Sequence, residues 1–217
     1  MRGTVIFDLD GTLVDSVPDL ADTLDEVLTG LGLAPVGLEG ARALIGHGIP
    51  RLVQGALTLR GHDVDDAEAT AIVERFVRLY GGRLSQRTRA YPGAEAALER
   101  LAGAGWRLAV CTNKREGFSR AILSDLGLLR FFDLVAGPDT FGVAKPDPAH
   151  LTRAVPGGGP AVMVGDSIVD VTAARAAGMP AIAVAWGYAR GPVADLGADA
   201  VAQDFAEVPA LVERLAG

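Results

Sequence analysis

Short apolar runs, each ending abruptly in polar residues, punctuate the chain at Thr4–Phe7, Arg107–Cys111, Leu134–Ala136, Ala161–Val164 and Ala181–Ala185. Their length and their lack of polar alternation predict strands covered on both faces. Helical spacing of apolar residues separates most of them, over Ala94–Gly103, Glu116–Leu126, Ile168–Ala177 and Phe205–Leu215. Strand alternating with helix predicts an α/β fold, a doubly wound parallel sheet with helices on both faces (Rossmann-like). The alternation fails between about residues 16 and 87. Leu20, Leu24, Val27, Leu28 and Leu31 recur at helical spacing there, as do Ala69, Ile72, Val73, Phe76, Val77 and Tyr80. Ser16 is the expected N-cap of the first of these helices, with Pro18 in its first turn and Asp19 at the capping-box position. Asp65 or Asp66 caps the second, and Pro50 opens a short helix after Gly46-His47-Gly48. An all-helical domain at 17–86 is therefore expected, inserted into a core of 1–16 and 87–217.

Composition narrows the function classes. The 217 residues include 20 Lys+Arg against 27 Asp+Glu, a net charge of −7, with no basic cluster. No nucleic-acid or anionic-membrane partner is expected. No apolar run approaches the roughly 20 residues of a membrane span, and acidic residues enter by position 8. With one cysteine, Cys111, neither an intramolecular disulfide nor a cysteine-built zinc site can form. A cytoplasmic setting is expected. Only two of the basic residues are lysines, Lys114 and Lys145.

Four strand ends carry the candidate chemistry. The first is Phe7-Asp8-Leu9-Asp10-Gly11-Thr12-Leu13-Val14-Asp15, where carboxylates at i and i+2 follow an apolar strand. On a regular strand both point to one side. At about 4 Å they would repel by roughly 4 kcal/mol at an effective dielectric of 20, unless a cation or a proton lies between them. The ordinary alternative is a solvated turn. A calcium loop fits poorly, because Leu13-Val14 stand where oxygen ligands would be needed. The second is Gly165-Asp166-Ser167-Ile168-Val169-Asp170, which places two acids one helical turn apart. Asp166 alone could be a helix cap. In the third, Cys111-Thr112-Asn113-Lys114, a hydroxyl and an amide stand at a turn into a helix. That suits an anion, and equally suits ordinary capping. The fourth is Lys145, between Ala144 and Pro146 in a stiff segment. A surface position is the bland reading for either lysine, and Lys114 is expected to be exposed, as are His62 and His150. Ligands of doubly wound sheets bind at the C-terminal strand ends, where all four segments fall.

With these motifs in this order, the chain resembles the haloacid dehalogenase superfamily over nearly its whole length. The resemblance implies a type 1 cap for the helical insert and a Mg²⁺-dependent phosphomonoester hydrolase acting through an aspartyl-phosphate. It implies Asp8 as nucleophile and Asp10 as general acid/base. Thr112, Asn113 and Lys145 would bind phosphate. Asp8, Asp166 and the Asp10 backbone carbonyl would hold the metal, and Asp170 would support them. Within the superfamily, Asp15–Leu20, Ile45–Gly48 and Trp186-Gly187-Tyr188 most resemble phosphoglycolate phosphatases. Gly46, His47, Gly48 and Arg51 would then receive a small acidic leaving group, the alternative being a plain helix–helix turn. Pyrophosphate, nucleotides or sugar phosphates are alternative substrates for the same chemistry, and a phosphomutase is an alternative activity. The expected partner is a small phosphorylated metabolite, and the chain is expected as monomer or homodimer.

Overall fold

The computed structural model describes residues 2–216. In chain order its elements are β1 (Thr4–Phe7), β2 (Val14–Asp15), α1 (Val17–Gly30), α2 (Gly37–Arg42), α3 (Ile49–Leu59), α4 (Asp66–Gly81), β3 (Arg89–Ala90), α5 (Ala94–Gly103), β4 (Arg107–Cys111), α6 (Glu116–Asp125), β5 (Leu134–Ala136), α7 (Pro138–Phe141), α8 (Pro148–Thr152), β6 (Ala161–Gly165), α9 (Ile168–Ala176), β7 (Ala181–Val184), β8 (Ala200–Ala202) and α10 (Val208–Ala216). The chain divides into two compact units. One comprises Met1–Asp15 with Ala90–Gly217, the other Ser16–Arg89. No helix among the described residues is long and apolar enough to cross a membrane.

The first unit is the doubly wound α/β fold. Its six strands run in the order β5-β4-β1-β6-β7-β8, and every described neighbouring pair is parallel. All four residues of β1 are buried, as expected of a strand covered on both faces. One face packs Ile6, Ala109, Cys111 and Met163 against Leu151 of α8 and Val171, Ala173 and Ala174 of α9. Alternation along the strands turns Val5, Phe7, Val110 and Val164 to the opposite face. From β1 the chain moves to β4 and β5 on one side, then returns to β6 on the other. The strand order therefore switches at β1, where such sheets bind ligands at their C-terminal ends. Register aligns those ends, since Phe7 lies opposite both Val110 and Val164. Asp8, Thr112 and Asp166 each emerge just past this row.

The second unit is helical. It buries Leu20, Leu24, Val27 and Leu28 of α1, Leu52, Val53, Ala56 and Leu57 of α3, and Ile72, Phe76 and Tyr80 of α4. Asp65 caps α4 by accepting the Glu68 N–H at 2.9 Å. At the start of α1, Ser16 holds the N-cap position and Pro18 lies in the first turn, but Ser16 makes no side-chain cap hydrogen bond. Asp19, 1% exposed, instead accepts hydrogen bonds from the Arg87 N–H and from the N–H and hydroxyl of Thr88, the latter two at 2.7 Å. It thereby ties the two ends of the helical unit together. An ionised acid receiving several such bonds interacts more strongly than a single cap.

His150 also departs from expectation, being wholly buried on α8. Its Nε2 lies 3.3 Å from the Ala136 carbonyl, and Phe141 meets the ring edge-on at 6.1 Å. Nδ1 has no partner among the described residues, so a second proton would sit on an unpaired, buried N–H. Burial, helped by the charge of Lys145, pushes the imidazole down to about 4 from 6.5, against the Ala136 carbonyl and Asp147. The unfolded chain therefore takes up a proton that the fold refuses. The stability this group confers is complete above pH 6.5 and declines as pH falls towards 4, by roughly 2–3 kcal/mol at pH 4.5. Asp8 acts in the opposite sense, because burial raises it to about 6, so the effect must be read as a difference between proteins. Urea unfolding at pH 7.5 and 4.5 should show the wild type losing roughly 2 kcal/mol more than His150→Gln. Equal losses would mean that His150 is protonated in the fold.

Candidate active site

The chain turns sharply after β1 because Gly11 holds φ +84°, and a Cβ there would strike the Asp166 carboxylate. Gly165 is required for a similar reason, since a Cβ would meet the Asp170 side chain. These two glycines let acids from separate strand ends crowd together. One carboxylate oxygen from each of Asp8, Asp166 and Asp170 lies within 4.8 Å of the others, and all three residues are buried.

Lys145 is the cation of this cluster. Its Nζ donates to Asp170 Oδ1 at 2.5 Å and pairs with Asp8 Oδ1 at 2.9 Å. Burial alone would lower its proton affinity, but Asp170 and Asp8 together raise it above the ordinary lysine value, so it stays charged. The Asn113 amide donates to the Lys145 carbonyl at 3.1 Å and braces the segment that carries the ammonium. Asp170 also opens α9, accepting from the N–H and hydroxyl of Ser167 at 3.0 and 2.6 Å.

One ammonium does not neutralise three acids. Burial raises Asp8 to about 6, Lys145 opposes that rise, and the charges of Asp170 and Asp10 reinforce it. Asp166 is held well above the usual carboxylate range by burial and by Asp170 and Asp8. The protein thus gathers carboxylates whose charge it only partly compensates. Every ligand atom in the group is a carboxylate oxygen, the donor set of a hard divalent cation.

Backbone and aromatic groups hold the rim. The Tyr188 N–H donates to Asp166 Oδ2 at 2.7 Å, and its hydroxyl to Asp15 Oδ1 at 2.9 Å. Trp186 stacks near Phe205 with ring centroids 4.6 Å apart, and its indole N–H donates to the Thr12 carbonyl at 3.0 Å. It therefore fastens the loop after β1 as well as packing.

Asp8, Lys145, Asp166 and Asp170 thus meet at one place, with Thr112 buried at the end of β4 and Asn113 behind Lys145. The Asp10 side chain is not a member of that group, and its two carboxylate oxygens lie 2.7 and 2.8 Å from Lys114 Nζ. Asp170, not the side chain of Asp10, is the third carboxylate of the cluster. Lys114, expected in solvent, is 6% exposed. Its scarcity and its place beside Asn113 were the available signals. Gly46, His47, Gly48 and Arg51 lie in the helical unit, where Gly48 precedes α3 and Arg51 is in its first turn. His47 and Arg51 are exposed there. Cys111 is buried as expected, and burial pushes its thiol up to about 12.

Comparison with known proteins places this site in a family. The family model described as haloacid dehalogenase-like hydrolase matches residues 3–178. The chain belongs to that family. It is an enzyme of phosphatase type, and relatives named phosphoglycolate phosphatase match it over most of their length. The phosphoglycolate phosphatase of Rhodospirillum rubrum is 44% identical over 216 residues, covering 96% of this chain and 90% of that protein. That of Caulobacter vibrioides is 40% identical over 210 residues, covering 95% and 89%. Among solved structures, one described as a predicted phosphoglycolate phosphatase from Haemophilus somnus superposes with a TM-score of 0.87 at 29% identity, covering 96% of each chain. The structure of CbbY from Rhodobacter sphaeroides in complex with phosphate gives 0.76 at 26% identity, again over 96% of each.

Proposed function

We propose that this protein is a Mg²⁺-dependent phosphomonoester hydrolase that works through an aspartyl-phosphate on Asp8, with 2-phosphoglycolate as its substrate. The observation that carries the reading is the Lys145 ammonium between Asp8 and Asp170, in a buried acid cluster at the sheet's switch point. The shared name of the full-length relatives supports the substrate.

Asp8, Asp166 and Asp170 have the charge and the oxygen donors to hold Mg²⁺, and the resemblance adds the Asp10 carbonyl. When bound, Mg²⁺ would supply positive charge to the phosphate oxygens and to the acids around them. The remaining work falls to the chain. Lys145 holds the Asp8 carboxylate in place and offsets its repulsion from an anionic phosphate. Asp8 attacks phosphorus, the ester P–O bond breaks, and Asp10 gives its proton to the departing oxygen. Asp10 then takes a proton from water as that oxygen attacks phosphorus. The Asp8–phosphorus bond breaks, and inorganic phosphate leaves. Thr112 and Asn113 orient the phosphoryl group. Gly46, His47, Gly48 and Arg51 contribute to recognition of the leaving group.

The test is phosphate release from 2-phosphoglycolate, pyrophosphate, nucleotides and sugar phosphates, with Mg²⁺ or with EDTA. The highest kcat/KM is expected with 2-phosphoglycolate, with a fall of about 100-fold or more in EDTA and recovery on adding Mg²⁺. Full activity in EDTA would contradict the metal. A different preferred ester would contradict the substrate. Conversion of sugar phosphates without phosphate release would make the protein a mutase.

A further inference from the structure

We infer that Lys114 selects the leaving group, by binding the carboxylate of a carboxylated phosphate ester beside Asp10. The inference rests on the reading of the site as a phosphomonoesterase with Asp10 at the leaving oxygen, and it deepens that reading.

Lys114 emerges from the turn between β4 and α6, two residues after Thr112. Its side chain is 3% exposed, against 15% for Asp10. Burying an ammonium costs several kcal/mol unless it is paired, and here the pair spans both Asp10 oxygens. The two lysines of the chain thus serve opposite ends of one site. Lys145 is committed to Asp8 and Asp170, at the phosphoryl end. Lys114 is committed to the acid that acts on the departing oxygen.

Geometry then limits what else Lys114 can meet. A proton donor must approach the leaving oxygen to about 3 Å. An ammonium in hydrogen-bond contact with both oxygens of that donor lies within about 6 Å of the same leaving oxygen. In 2-phosphoglycolate a single methylene separates the leaving oxygen from the carboxylate, so the carboxylate falls within reach of Nζ. There it shares the ammonium with Asp10 through a charge-assisted hydrogen bond. An ester with a methyl group at that position presents no acceptor, and it desolvates the Lys114–Asp10 pair without compensation. A buried ammonium discriminates between the two more sharply than exposed His47 or Arg51, because water screens it less.

The experiment compares kcat and KM of the full-length protein with Mg²⁺ for 2-phosphoglycolate and for ethyl phosphate, which has a methyl group in place of the carboxylate. Lys114→Met should lower kcat on both esters, since Asp10 loses its partner. It should also raise KM for 2-phosphoglycolate by about 10–100-fold more than KM for ethyl phosphate. Lys114→Arg, which keeps the charge, should retain most of the preference. Lys114→Gln repeats the comparison if the methionine protein loses its native circular dichroism. KM values that move together in the neutral variants would overturn the inference, as would loss of the fold in both. A wild type that shows no preference for 2-phosphoglycolate refutes the substrate reading and the inference with it. A wild-type preference that survives Lys114→Met refutes the inference alone.

Discussion

Asp8→Asn is expected to lower kcat by about 10⁴-fold or more while leaving the metal-free protein at least as stable as the wild type. The two halves of this expectation have separate causes. An amide cannot attack phosphorus as a carboxylate does, so the covalent step is lost. Stability moves the other way because Asp8 is 8% exposed and its carboxyl is raised from 3.8 to about 6, burial being the main cause. A carboxyl raised in the fold confers stability below about pH 6, and its ionisation costs stability above that pH. Removing the charge at pH 7.5 should therefore gain roughly 1–3 kcal/mol in EDTA. Urea unfolding and steady-state kinetics on the same preparation check both parts. Turnover within tenfold of the wild type would remove Asp8 from the nucleophile's role.

Lys145→Met should fail in both respects. Lys145 is 4% exposed, and its ammonium bridges Asp8 and Asp170 at 2.9 and 2.5 Å. Removing it leaves two buried carboxylates facing each other, and breaking a buried pair costs about 3–5 kcal/mol. Activity should fall by about 10³-fold, as nucleophile and phosphate lose their shared cation. The double variant Lys145→Met/Asp170→Asn separates the two effects. It relieves the acid repulsion and should recover part of the stability, but none of the activity. Lys145→Arg should not substitute, because a planar fork does not occupy the place of a compact ammonium. A Lys145→Met protein unfolding within about 1 kcal/mol of the wild type and turning over within tenfold would show that the pair has little weight.

Asp8 was legible in the sequence because it stands where an apolar strand stops, and Lys145, nine residues beyond the end of β5, because lysine is scarce in the chain and a proline follows it. The five strands read from the sequence are present. β8 was not read, since Ala200-Val201-Ala202 is a three-residue strand of small side chains at the sheet edge. α2 was hidden by its two glycines, and its start is held by Asp25, which accepts the Val36 and Gly37 N–H groups. α10 begins at Val208 rather than at Phe205, because the Asp204 side chain captures the Ala206 and Glu207 N–H groups in a turn. Side-chain partners were the least legible part. Asp19 reads locally as a capping-box acid, yet its partners lie 68 and 69 residues away. Lys114 and His150 read as surface residues because that is the usual fate of their types. Tertiary contacts with Asp10 and Ala136 decide otherwise.

The most direct measurement is acid-quenched single turnover with radiolabelled 2-phosphoglycolate, followed by mapping of the labelled peptide. The account predicts a hydroxylamine-labile acyl phosphate on the peptide containing Asp8, formed before phosphate appears in solution and missing from Asp8→Asn. Label carried by any other residue, or phosphate released with no labelled protein at any quench time, would contradict it.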